Sequence, residues 1–171
     1  EGPLMKDLVV TADHDFNMVN YTSIIVIFII MLFVFQSIGL PVILIFTIEF
    51  AIFLNMAVAY YMGVKLPFIA SIVVGTIQLG ATIDYAILMS TTYLNERKLS
   101  DKHKAMTDTL KVTVPSIITS ALCFFAATIG VSLYTKIDMI GSICTLLARG
   151  SIISMLVVVI ILPALLMIFD K

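Results

Sequence analysis

The fold class this 171-residue chain predicts is all-α: a polytopic membrane bundle of five transmembrane helices behind a short extracytoplasmic N-terminal segment. Three observations predict it. Hydrophobic residues make up 61% of the chain and charged residues only 12%, about half the roughly 25% of soluble globular chains. Five blocks of about 18 or more nearly uncharged residues recur, the length needed to cross a hydrocarbon core of about 30 Å. Glycine and proline punctuate the gaps between them.

Residues 1–20 stand apart, with Asp7, Asp13, His14 and Asp15 scattered among apolar positions. They read as an approach segment whose end is an amphipathic helix running into the membrane, with His14 a solvated side chain. The first span covers 21–38 and closes on Gln36, Ser37 and Gly39. A tight turn at Gly39 and Pro41 opens the second, 41–62. The turn from Gly63 to Pro67 leads into the third, 68–93. A polar stretch from Asn95 to Lys111, with the spacing of a short surface helix, precedes the fourth, 112–134, which has Pro115 near its start. The fifth, 140–169, carries Pro163 in its last third, where membrane helices tolerate a kink.

Arg97, Lys98, Lys102, Lys104 and Lys111 crowd the 95–111 loop, whereas the other turns hold at most one basic residue each, Lys65 or Lys136. The positive-inside tendency makes that loop and the C-terminus cytoplasmic and residues 1–20 extracytoplasmic, in a multi-pass cell-membrane protein. The start at Glu1 rather than methionine, with an odd number of spans, is read as a fragment of something longer. A net charge of −1 without a basic, aromatic-interleaved cluster excludes nucleic acid as a partner and leaves the lipid bilayer. Cys123 and Cys144 both fall in spans, where they serve as small packing residues rather than a disulfide or metal site. No nucleophile–base set, phosphate loop or metal-ligand spacing points to an enzyme or to a bound cofactor.

Three ionisable residues lie deep in the spans: Glu49, Asp84 and Arg149. A charge at such depth costs several kcal/mol and marks a functional site by default. At about 1.5 Å per residue, Glu49 is about 12 Å past Pro41, Asp84 about 14 Å before Tyr93 and Arg149 about 14 Å after Ile140, so one plane would hold all three. A carboxyl that loads and unloads protons needs desolvation and a cation that stabilises its ionised form, and Arg149 suits that second role for Asp84. The rival reading makes Asp84 a static interhelical hydrogen bond, Glu49 a snorkelling side chain and Arg149 a structural contact to helix carbonyls. Tyr85 gates or relays protons, or simply packs. Ser71, Gly75, Gly80 and Thr82 would let another helix approach. Ser116, Thr119 and Ser120 would offer hydroxyls to the acid, and Asn55 and Gln78 read as interhelical glue.

The run Phe33-Val34-Phe35-Gln36-Ser37 with Leu40-Pro41, the Gly80-Ala81-Thr82-Ile83-Asp84-Tyr85-Ala86 segment, the Thr92-to-Arg97 exit and the closing Leu162-Pro163-Ala164-Leu165-Leu166 together resemble the resistance–nodulation–division superfamily, specifically its MMPL-type branch. The resemblance runs from about Gly2 to Phe169. It implies two similar halves, each with one span, a large external domain and five further spans. This chain would supply the tail of that domain and the last five spans, by preference of the C-terminal half. It also implies transport driven by the proton gradient, with Asp84 and Tyr85 as the proton relay and protons the coupling ion. Lipids, amphiphiles or drugs would be the substrates; the other half, its external domains and an oligomer would be the partners. The best-known drug pumps of the superfamily carry two adjacent aspartates where this chain has Asp84 followed by Tyr85. Two alternatives stay open: a lipid- or sterol-sensing or assembly module built on the same five-helix bundle, and a sodium-coupled carrier.

Overall fold

The computed structural model describes the backbone of residues 2–63 and 68–170 and the side chains of 18–63 and 70–170; the expectations for His14 and for an amphipathic face before residue 18 lie outside the described side chains. Five helices follow one another: α1 (Gly2–Phe35), α2 (Gly39–Tyr61), α3 (Phe68–Arg97), α4 (Lys102–Tyr134) and α5 (Asp138–Phe169). All five are long and apolar enough to cross a membrane. No strand occurs among the described residues, as expected where each backbone polar group must be satisfied within its own segment.

Turn chemistry sets where each helix stops. Gln36 adopts a left-handed φ of 50°, which breaks α1 and reverses the chain within three residues. Pro41 then sits in the first turn of α2, where its missing N–H costs no helical bond. At the far end of α2, Gly63 takes φ 65° and donates its N–H to the Tyr60 carbonyl, closing the helix with the left-handed residue that glycine accepts without strain.

Two boundaries differ from the sequence expectation. The polar stretch 95–111 is not a long loop with its own surface helix: α3 continues to Arg97 and α4 begins at Lys102, leaving a turn of four residues. The helix propensity of the Lys- and Ala-containing stretch allows α4 to extend beyond the apolar block. Pro115 therefore lies inside α4, and Pro163 is buried inside α5.

Helix α5 packs against α2, α3 and α4, while α1 packs on α2 and α3. The core divides into two apolar clusters. One holds Leu44, Ile48, Tyr85, Met89, Tyr93, Ile117, Val158 and Leu162. A smaller one toward the opposite end holds Ala59, Ala70, Val74, Leu146 and Leu147. Between them, on α2, α3 and α5, lies a layer of buried polar side chains.

Candidate functional site in the membrane-spanning helices

That layer is built around Asn55 and Gln78. Asn55 Nδ2 donates to Gln78 Oε1 at 2.8 Å and to the Leu146 carbonyl at 3.2 Å. Gln78 Nε2 reaches Ser154 Oγ at 2.9 Å, and the Thr82 hydroxyl lies 2.9 Å from the same oxygen. The amides thus join three helices, and the glue role expected for both is the role they play. The backbone makes room at Gly150: a Cβ there would stand 2.7 Å from both Asn55 Nδ2 and Gln78 Oε1. Sequence reading missed Gly150, because nothing in its local pattern marks which helix will face it.

Arg149 belongs to this layer. Its Nε donates to Asn55 Oδ1 at 2.9 Å, its Nη2 to the Asn55 carbonyl at 3.0 Å and its Nη1 to the Met62 sulfur at 3.4 Å. It makes no ion pair with Asp84 or Glu49, and the expectation of one shared plane does not hold. Asp84 is six residues beyond Gln78 on α3 and Glu49 six residues before Asn55 on α2, so both acids lie about 9 Å from the Arg149 layer along the helix axes. The acids share a depth with each other and not with the arginine. Arg149 instead lines a cleft of about 520 Å³ with Met62, Ser132, Asp138, Ser142 and Thr145, at the end that carries the α4–α5 turn.

Asp84 and Tyr85 part company although they are adjacent. Tyr85 turns inward and joins the larger apolar cluster, 8% exposed. Asp84 turns outward and is exposed, with no hydrogen bond or ion pair to any described residue. The spacing explains it, since consecutive helical residues differ by about 100° and positions three or four apart share a face. Ile77, Gly80, Asp84 and Leu88 form one exposed stripe along α3. Among the described residues, nothing within 4 Å would meet a Cβ at Gly80 or at Gly75, so neither glycine serves a close approach among them.

The remaining candidates are dispersed. Ser116, Thr119 and Ser120 are exposed on α4. The Thr119 hydroxyl donates within its own helix to the Pro115 carbonyl, and none of the three bonds to Asp84. Thr82 faces inward to Ser154 rather than toward the acid. Cys123 and Cys144 are free thiols. Glu49 lines a groove between α1 and α2, and its Oε1 is buried without a hydrogen-bond partner. No cluster of three or more metal-ligating side chains occurs among the described residues.

At the opposite end from the Arg149 cleft, Asp170 closes the bundle. Its carboxylate accepts from the Tyr93 hydroxyl at 2.5 Å and from Arg97 Nε at 2.7 Å, and its backbone carbonyl accepts from Lys102 Nζ at 2.8 Å. The Tyr93 hydrogen bond is the leading cause that holds the Asp170 carboxyl below its ordinary range; the bond and charge of Arg97 and the charge of Lys102 act the same way against partial burial.

Comparison with known proteins agrees with this architecture. The family model described as the MMPL family matches residues 1–170. A Streptomyces coelicolor protein named as membrane protein ActII-3 is 35% identical over 101 residues, which cover 54% of this chain and 13% of that protein's length.

Proposed function

Because the chain belongs to the MMPL family of multi-pass membrane proteins, we propose that it is the transmembrane energy-coupling module of a proton-driven exporter of lipids, amphiphiles or drugs. The observation that carries this reading is the outward-facing, unpartnered Asp84 at mid-span on α3. An ionised carboxyl facing lipid at that depth would cost several kcal/mol. The stripe of Ile77, Gly80, Asp84 and Leu88 is therefore a surface that further protein covers, and the sister half of the transporter is the cover this reading supplies. Arg149 being occupied with Asn55, the group that answers Asp84 when it ionises comes from that partner. Tyr85, rooted in the core one position on, couples the protonation state of the acid to packing between α3 and its neighbours. Protons enter from the extracytoplasmic side and leave on the side of the basic turn near Lys98 and Lys102.

The test is Asp84→Asn in the full-length protein. Export should fall by at least about tenfold at normal expression, the loss expected when a proton-transfer group is removed. Undiminished export removes Asp84 from the mechanism. Export that survives collapse of the proton gradient and follows a sodium gradient replaces the proton with sodium. Lipid binding by a protein that exports nothing, with no effect of Asp84→Asn, makes the chain a lipid-sensing module instead.

A further inference from the structure

Glu49 is a half-buried acid that the coupling scheme leaves idle. It sits ten residues into α2 and twelve before its end at Tyr61, near the midpoint of the span. Around it α1 and α2 diverge into a groove of about 470 Å³, walled by Ile24, Phe28, Val42, Ile45 and Phe46. That volume falls within the about 300–1,000 Å³ of small-molecule sites. Val42 and Phe46 are exposed on the outer surface of the bundle, so the groove opens sideways to the acyl chains rather than to water.

Glu49 Oε1 is buried with no partner, a defect that costs about 1–3 kcal/mol for a neutral group and more for a charged one. A protonated Glu49 can turn its O–H to a carbonyl one turn back, as Thr47 does on the same helix, so the unmet need is that of the ionised form. Hydrocarbon holds no water to fill the role. A hydroxyl-bearing lipid would supply a donor but leave a carboxylate charge in place. An ammonium head supplies N–H donors and neutralises the charge together, while the walls accept an alkyl chain.

We infer that the α1–α2 groove is a binding site for a single-chain amphiphile with a primary amine head, held by Glu49 and entered laterally from the membrane. The inference stands apart from the coupling role of Asp84, which lies on another helix outside the groove, and is tested by binding alone.

The experiment uses full-length protein in phosphatidylcholine nanodiscs and radiolabelled dodecylamine as the probe. Dodecyltrimethylammonium serves as the control that keeps the charge and chain but has no N–H. Saturable dodecylamine binding is expected, with affinity lower by at least about tenfold for the control. Glu49→Gln should bring a similar loss. Val42→Trp, which fills the groove and leaves the acid in place, should also abolish binding. Asp84→Asn should leave binding intact even where it stops export, so failure of either scheme is seen separately. Equal binding of the two probes, or no effect of Glu49→Gln and Val42→Trp, overturns the site. A Val42→Cys thiol that cross-links to another helix of the full-length protein also overturns it, because the groove would then be filled by protein.

Discussion

Gly150 shows how little a single position needs in order to govern a membrane core. The missing Cβ lets α5 lie against the Asn55–Gln78 amide pair, and restoring it puts carbon 2.7 Å from two polar atoms. Gly150→Ala should therefore destabilise the protein by about 1–3 kcal/mol, the range for overpacking, measured as a fall in thermal midpoint in detergent. Gly75→Ala and Gly80→Ala meet nothing within 4 Å and should instead be neutral or gain up to about 1 kcal/mol from helix propensity. The three glycines look alike in sequence, and only the rotation of each helix separates them. Asp84 was legible as a costly mid-span group because its cost depends on depth, which hydropathy reports. The partner of Arg149 was not: depths counted from span ends carry errors of several residues, and a guanidinium can be satisfied by carbonyl oxygens as well as by an acid. Here Asn55 supplies two such oxygens.

Among the elements, α3 and α5 are latched by their ends. Asp170 accepts from Tyr93 and Arg97 and offers its carbonyl to Lys102, so the first residue beyond α5 is tied to both sides of the α3–α4 turn. Its carboxyl is held below the ordinary range. A depressed acid contributes its stabilisation in full above its unfolded value of about 3.9 and loses it as pH falls through the lower folded value. Amide protection factors near residues 166–170 should thus be high at neutral pH and fall in acid, below about pH 4. Asp170→Asn should show the low, acid-like protection at neutral pH, and Tyr93→Phe should move the acid transition upward. Five helices could be read from apolar runs alone, since each block had the length of a span. The start of α4 could not, because a charged stretch that is poor membrane material is still good helix material, and hydropathy does not distinguish the two.

Taken whole, the bundle has an inside and an unfinished side. The faces of α2, α3 and α5 meet around the Asn55–Gln78 layer, whereas the stripe from Ile77 through Asp84 to Leu88 faces outward. Replacing Gly80 with leucine on that stripe should leave folding of the five-helix unit unchanged, because none of the described residues comes within 4 Å of a Cβ there. In the full-length protein the same substitution should impair export and weaken cysteine cross-linking between Leu88→Cys and the sister half. Unchanged export and cross-linking would show that the stripe faces lipid. The membrane class and the family were within reach of sequence because both rest on composition and the order of motifs. Which side of each helix looks inward follows from helix rotations, and no local pattern encodes those.

Helix α1 is continuous over 34 residues from Gly2 to Phe35, about 51 Å at 1.5 Å per residue, against a hydrocarbon core of about 30 Å. Some 20 Å of unbroken rod therefore stands clear of the acyl chains. Only 6% of its apolar window is buried against the rest of the bundle, and its one abrupt break is the reversal at Gln36. A stiff shaft fixed at one tip and lightly gripped between Met18 and Phe35 is a lever: small sliding at the α1–α2 corner would be magnified with distance from that corner. With the helical backbone unbroken back to Gly2, movement of the bundle would reach that first turn as displacement rather than bending.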